Sequence, residues 1–123
     1  MPDTSVQLRD GMLRSSKCIG SKVVNPEGES LGRIEDLVID PYENQIAAAV
    51  VSFGGFLGIG EKLVPVPLSA LSYDAREQRF LINVDKETLR NGPSFRHDAW
   101  PALMDRVWAA DLYSYYGYPP YWG

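Results

Sequence analysis

Short apolar runs separated by turn residues occupy most of the chain between residues 22 and 84. Their spacing of about 8–12 residues and their β-branched and aromatic content are typical of strands in a small all-β barrel or sandwich. Glycine, proline and asparagine between the runs supply the turn signals. The pattern predicts strands at 22–24, 31–40, 45–53, 63–67, 71–73 and 79–84.

Two of these strands carry further information. In 31–40 the alternation of apolar and polar positions breaks at Glu35 and Asp36. This break predicts a bulge or strong coiling at that point. The segment 45–53 is rich in Val, Ile and Ala, so we expect it to be buried on both of its faces.

The pattern becomes helical toward the carboxyl end. Asp85 is placed to cap a short helix over 86–90, and a longer helix is predicted from Trp100 to about Tyr116. The expected apolar face of the longer helix is formed by Leu103, Val107 and Ala110, with Met104, Trp108 and Leu112 adjoining it. Eight of the 14 aromatic residues lie in the last 24 positions, a concentration that needs a structural or functional reason.

The composition fits one globular domain. Of 123 residues, 45% are hydrophobic and 23% are charged, and 12 Lys and Arg against 16 Asp and Glu give a net charge of −4. A protein that grips a phosphate backbone usually has a basic excess, so DNA is not an expected partner. No apolar signal region follows Met1, and the longest apolar run, 46–51, is too short for a membrane span. We therefore expect a cytoplasmic protein without a membrane span.

Residues that carry chemistry are sparse. One cysteine, Cys18, excludes an internal disulfide, and one histidine, His97, excludes a site that needs two imidazoles. We expect Cys18 to be a small buried side chain and His97 to lie at the surface. The acidic residues between positions 27 and 43 are expected to form a solvated edge. The sequence therefore predicts no enzyme, no cofactor and no metal site.

The glycine-rich segment 53–62 fits neither a phosphate-binding loop nor a dinucleotide-binding motif. Its glycines allow tight turns, so the apolar side chains of Phe56, Leu57 and Ile59 are not all expected to point into one small core. We expect at least one of them to be exposed as part of a docking surface. In the alternative interpretation, all three cover one end of the barrel.

The aromatic tail also has two open interpretations. Tyrosine and tryptophan are enriched in protein interfaces, which makes Trp108, Tyr115, Tyr116 and Trp122 candidate interaction residues. Either the tail folds back and closes an exposed face of the barrel, or it binds another chain.

Three linked blocks resemble a known family. They read IGSKVV at 19–24, GESLGRIEDLVID at 28–40 and FGGFLGIGEKLVPVPLSAL at 53–71. These blocks resemble the PRC-barrel domain, which is named from the photosynthetic reaction centre H subunit. The resemblance implies a mainly β fold, a small coiled antiparallel barrel of about six strands with a C-terminal helix and aromatic tail. The expected divisions are a flexible arm at 1–15, the barrel at 16–92 and the helix and tail at 93–123. The expected core residues are Val23, Ile34, Leu37, Val50, Val64, Val66 and Ile82.

The resemblance implies docking to another macromolecule, because the family shares no catalytic residue set. We therefore expect a non-catalytic interaction or assembly module that binds a protein partner and forms a homodimer. The family also includes ribosome maturation factors, so RNA processing or ribosome assembly is the first alternative. Support of photosynthetic electron transport is the second, although the chain lacks the transmembrane helix of the H subunits.

Overall fold

The computed structural model describes residues 11–53 and 62–122. Its strands are β1 (Lys22–Val24), β2 (Ser30–Asp40), β3 (Gln45–Phe53), β4 (Lys62–Val66), β5 (Leu71–Asp74) and β6 (Arg79–Ile82). Its helices are α1 (Ser15–Cys18), α2 (Lys86–Asn91) and α3 (Arg106–Tyr116), and a 3₁₀ turn at Leu68–Ala70 precedes β5. In the described ranges, no helix has both the length and the apolar character that crossing a membrane requires.

The six strands form one curled sheet in the order β4-β3-β2-β1-β6-β5. The mainly β, six-stranded prediction is confirmed, with one correction. The β1–β6 pair is parallel, whereas the other four pairs are antiparallel. Only strands joined by a tight hairpin are obliged to be antiparallel. Because β1 and β6 are far apart in sequence, no turn imposes that direction on them.

A bulge bends β2 at the predicted position. Ile34 pairs with Val51 and Asp36 pairs with Val50, so Glu35 is an extra residue opposite β3. Such an insertion increases the local twist and helps a short sheet to curl. The broken alternation in the sequence is therefore confirmed as a bulge.

A second irregularity follows four residues later in the same ladder. Val38 pairs with Ala48 and Ile39 pairs with Ile46, which leaves Ala47 as the extra residue, this time in β3. The extra residue of a bulge is not paired in the ladder, so its polar backbone groups need other partners.

The concave face of the sheet encloses the main core. Ala49, Val51 and Phe53 of β3 are fully buried in it. Five of the seven predicted core residues belong to the same cluster, namely Val23, Ile34, Val64, Val66 and Ile82. Val50 is also fully buried, and Leu37 packs against the cluster as a partly buried side chain.

Helix α3 covers the opposite face of β3. Ala48 forms a second apolar cluster with Leu112 and Tyr113 of α3, and Val38 of β2 packs against it. The expectation that the segment 45–53 is buried on both faces is thereby confirmed.

Helix α3 begins later than the sequence pattern predicts. Its first residue is Arg106 instead of Trp100. The Asp105 carboxylate accepts a hydrogen bond of 3.0 Å from the N–H of Trp108. This N-cap bond satisfies an amide that the helix itself leaves free, and it marks the true start.

The buried face of α3 is different from the predicted one. Val107 is 67% exposed, Ala110 is exposed, and Leu103 lies outside the helix. The buried residues are Ala109, Leu112 and Tyr113, of which the prediction includes only Leu112, as a residue beside the expected face. The predicted face is wrong because the helical period was counted from Leu103, which precedes the helix. The packing of Leu112 and Tyr113 against Ala48 determines which face is buried.

The segment between α2 and α3 crosses the outer edge of β4. Phe95 and Leu63 exchange two backbone hydrogen bonds of 2.9 Å each. The rings of Phe95 and Trp100 lie 4.7 Å apart. This connection covers part of an edge that β4 otherwise leaves unpaired, and it leads the chain toward α3.

Candidate docking surface

The seven predicted interaction residues are divided between described and undescribed parts of the chain. Three of them lie outside the described residues: Phe56, Leu57 and Ile59. The other four belong to α3 and its tail and fall into two pairs. Tyr115 and Tyr116 lie near α2, whereas Trp108 and Trp122 lie near the start of α3.

The Tyr115–Tyr116 pair connects α3 to α2. The Tyr115 hydroxyl donates a hydrogen bond of 2.7 Å to the carbonyl oxygen of Thr88, and the two tyrosine rings meet edge to face at 4.9 Å. The Tyr116 hydroxyl is buried and has no hydrogen-bond partner within the described part of the chain. Its burial raises the pKa of Tyr116 above the ordinary value.

The tail folds back onto its own chain. Gly117 ends α3 with a φ of 75°, a left-handed conformation that turns the chain back. The Tyr113 hydroxyl donates a buried hydrogen bond of 2.8 Å to the carbonyl oxygen of Ala47. The rings of Tyr121 and Trp122 meet that of Tyr113 at 5.6 and 5.9 Å. These contacts agree with the interpretation in which the tail folds back, and binding of another chain stays a prediction.

A groove of about 450 Å³ lies between the β2–β3 turn and the start of α3. We call it the β2–α3 groove. The residues that line it come from the sheet, from the start of α3 and from the tail: 38–42, Ala47, 103–106, Trp108, Ala109 and Tyr121. It therefore contains one predicted interaction residue, Trp108, and lies next to a second, Trp122.

Large apolar side chains are exposed along this groove. Tyr42 is 92% exposed, Leu103 69% and Ile39 66%. Val107, in the first turn of α3, is exposed to a similar degree but does not line the groove. A cluster of such side chains around one concavity is typical of interaction sites, whereas isolated exposed side chains are common on any protein.

Sequence reasoning misses all three of these wall residues. Ile39 fits a strand, Tyr42 fits a turn, and Leu103 fits the inner face of a helix. One available signal was Tyr42, an aromatic residue placed in a turn among polar neighbours. The proximity of Leu103 to the other two depends on where α3 packs, which no local pattern contains.

Asp40 holds one wall of the groove in place. One oxygen, Oδ1, accepts hydrogen bonds from the N–H groups of Tyr42 at 3.0 Å and Glu43 at 3.2 Å. The other, Oδ2, accepts a bond of 2.7 Å from the Tyr121 hydroxyl. The Tyr121 bond is the main reason that the pKa of Asp40 is lowered, and the two amides and the Arg106 charge add to it. Burial, followed by the bond to Asp40, raises the pKa of Tyr121.

The charged groups of the groove are mostly acidic. Asp40 and Asp105 line the groove together with one guanidinium, that of Arg106, and Glu43 adds a third carboxylate through its contact with Arg106. Arg106 lies 3.2 Å from Glu43, and its guanidinium is 4.5 Å from the centre of the Trp122 ring. These contacts orient the charges without cancelling the acidic excess.

A larger, open groove of about 810 Å³ lies between the Asn25–Glu29 turn and the start of α2. Two of its carboxylates, those of Glu29 and Asp85, have partners within the chain, as those of the β2–α3 groove do. The Glu29 carboxylate accepts hydrogen bonds from the side chains of Asn25 at 2.9 Å and Lys86 at 3.4 Å. The Asp85 carboxylate accepts a hydrogen bond of 2.8 Å from the N–H of Thr88. No large apolar side chain that lines it is exposed. The β2–α3 groove is therefore the stronger candidate.

The single cysteine and the single histidine lie apart from both grooves. Cys18 is buried in the main core, and burial raises the pKa of its thiol. The His97 side chain is 61% exposed, and its Nε2 lies 3.5 Å from a Glu35 oxygen. Both locations agree with the sequence predictions. Within 11–53 and 62–122, no three potential metal ligands come together.

Comparison with known proteins identifies a family over most of the sheet. The chain matches the PRC-barrel domain over residues 10–89, more than half of its length. It is similar to the solved structure of a 16S ribosomal RNA processing protein, RimM, from Pseudomonas aeruginosa, at 22% identity and a TM-score of 0.43. This similarity covers 61% of the chain and 45% of that protein, so the chain spans less than half of that protein's length. A search of curated proteins finds no match.

Proposed function

Since the chain belongs to the PRC-barrel domain family, we propose that it is a non-catalytic module that docks a partner protein through the β2–α3 groove. The observation that carries this proposal is the exposure of Ile39, Tyr42 and Leu103 around one groove. Exposed apolar surface is costly in water, and covering it is the main driving force of protein association.

The groove has the general organisation of a protein interface. Its lining combines apolar side chains with the charged groups of Asp40, Asp105 and Arg106, as protein interfaces do. Trp108 and Tyr121 contribute aromatic surface, which often supplies much of the binding free energy. The hydrogen bonds to Asp40 hold the turn and the tail together, so little conformational entropy is lost when a partner binds.

Other functions are competing outcomes of the same test. RNA processing or ribosome assembly requires contact with phosphate groups, which an acidic groove disfavours. A homodimer formed through this surface requires the groove to bind a second copy of the chain, and support of photosynthetic electron transport requires a membrane partner. The proposal includes a cytoplasmic location.

The test compares the full tagged chain with a groove variant, Tyr42→Ser with Leu103→Ser. The matched control is Met12→Ser, which changes a side chain that is 96% exposed and lies outside the groove. Each protein is incubated with native lysate, and the retained proteins and RNA are identified. Thermal melting shows whether each variant remains folded.

The proposal predicts a protein that is retained by the wild type and the control and lost by the groove variant. Equal retention by all three chains contradicts it. Retention of ribosomal RNA that is sensitive to ribonuclease favours the RNA alternative. Sedimentation as a dimer that the groove variant abolishes makes the partner a second copy.

A further inference from the structure

We infer that the segment docked in the β2–α3 groove is an amphipathic peptide with apolar residues on one face and Lys or Arg beside them. This inference rests on the proposed docking function and adds the chemistry of the partner. It follows from the combination of exposed apolar walls and an acidic excess at one site.

The apolar part of the partner is set by the walls and floor of the groove. Leu103 and Ile39 are about two-thirds exposed, and Trp108 and Ala109, in the first turn of α3, also line the groove. A volume of about 450 Å³ accommodates a few side chains and not a whole domain. A short peptide segment that inserts apolar side chains at helical spacing fits this space.

The basic part of the partner is set by the charges. Each of the three carboxylates has a fixed internal contact: Asp40 with Tyr121 at 2.7 Å, Asp105 with the Trp108 amide at 3.0 Å, and Glu43 with Arg106 at 3.2 Å. A hydrogen bond from a neutral hydroxyl or amide orients a carboxylate but does not remove its charge. One guanidinium therefore balances only one of three negative charges, and cationic side chains are favoured beside the groove.

The same charges act against two other occupants. A second copy on this face would add the same acidic excess, Asp40, Glu43 and Asp105 against one Arg106, to the same interface, and each whole chain carries −4. A phosphate backbone would meet the same repulsion. A basic amphipathic peptide meets one like charge, that of Arg106, against the three carboxylates.

The groove is a property of this chain beyond its barrel. The family match ends at residue 89, whereas Leu103, Arg106 and Trp108 lie after it. The partner chemistry therefore follows from the carboxyl-terminal addition and the β2–β3 turn together, and not from the barrel alone.

The test uses three fluorescein-labelled 14-residue peptides with Leu at helical spacing. The remaining positions are Lys in the first peptide, Gln in the second and Glu in the third. Fluorescence anisotropy measures binding to the full chain at low and at high NaCl. We expect the Lys peptide to bind about tenfold or more tightly than the Glu peptide at low salt, and the difference to shrink at high salt.

Two pairs of variants localise the binding. Tyr42→Ser with Leu103→Ser should abolish binding of the Lys peptide, whereas Met12→Ser should not change it. Glu43→Gln should weaken binding of the Lys peptide several-fold at low salt. Its control, Glu77→Gln, changes an exposed carboxylate in the β5–β6 turn and should have no effect.

The outcomes separate this inference from the proposed function. Equal, salt-independent binding of the Lys and Gln peptides overturns the basic chemistry but leaves an apolar docking groove. Binding of the Lys peptide that the groove variant does not reduce overturns the assigned site. If no peptide binds while the lysate partner still depends on Tyr42 and Leu103, only the peptide chemistry is wrong.

Discussion

The Tyr113 hydroxyl donates a hydrogen bond of 2.8 Å to the carbonyl oxygen of Ala47, a residue 66 positions earlier in the chain. Ala47 is the extra residue of the second bulge, so its backbone is not paired in the β2–β3 ladder. An unpaired carbonyl that is buried costs free energy unless another donor reaches it. Helix α3 thus satisfies the polar group that the bulge leaves unpaired and covers the apolar face beside it.

Tyr113→Phe removes this donor while keeping the ring in place. The Ala47 carbonyl then stays buried without a partner, so we expect the free energy of unfolding to fall by about 1–3 kcal/mol. Urea unfolding followed by tryptophan fluorescence measures the change. Tyr42→Phe is the control. Tyr42 is 92% exposed, so removing its hydroxyl leaves no buried group without a hydrogen-bond partner. Equal midpoints for the two variants would contradict the assigned role of the bond.

The Asp40–Tyr121 bond should make stability depend on pH in the acid range. The pKa of Asp40 is lowered in the folded state, so the stabilisation is fully present above the ordinary pKa of about 4 and is lost as pH falls through the lower folded-state value. We expect the difference in unfolding free energy between wild type and Tyr121→Phe to be constant near neutral pH and to shrink in acid. Urea unfolding at a series of pH values measures it.

The control for this titration is the same comparison in an Asp40→Asn background. Asparagine does not titrate, so the effect of Tyr121→Phe should then be the same at every pH. A difference that shrinks in acid in both backgrounds would assign the pH dependence to a group other than Asp40.

Gly32→Ala should strongly destabilise the sheet. A Cβ atom at this position would lie 2.0 Å from the carbonyl oxygen of Ser52 and 3.2 Å from the Cα of Phe53, both in the backbone of β3. Neither atom can move without opening the β2–β3 ladder, so we expect a loss of at least about 3 kcal/mol or no cooperative unfolding. Circular dichroism during thermal melting measures this, and Ser30→Ala at the exposed start of β2 should melt like the wild type.

Leu112→Ala and Leu103→Ala test how α3 packs. Leu112 is 1% exposed on the inner face of α3, so its truncation should lower the free energy of unfolding by about 2–5 kcal/mol. Leu103 is 69% exposed in the groove, so the same truncation should change stability by no more than about 0.5 kcal/mol. Urea unfolding compares them directly. Similar losses for both variants would mean that Leu103 is covered in solution.

The strands could be predicted because their signals are local. Turn residues mark where each strand ends, and alternation of polar and apolar residues marks its faces. Even the β2 bulge is visible at Glu35 and Asp36, since one inserted residue shifts the alternation that follows it. The second bulge gave no such signal, because Ala47 stands in an apolar run where a shift by one residue leaves the pattern unchanged.

The start and orientation of α3 needed information from outside the helix. Periodicity selected Leu103 and Val107 as the buried face, and Asp105 was not recognised as the cap. The contacts that decide the orientation are the Tyr113 bond to Ala47 and the packing of Leu112 on Ala48. Both join positions more than 60 residues apart, which a local window does not include.

The sequence alone therefore determined the family, the order of the strands along the chain and most of the core, because these depend on short-range patterns of burial and turning. It did not determine the β2–α3 groove. Ile39 and Leu103 line the same space only because α3 packs across β3 and the tail turns back to Asp40. Strands and turns are encoded by residues that are neighbours in the sequence. A surface built from a turn, a helix start and a tail exists only once those parts meet in three dimensions.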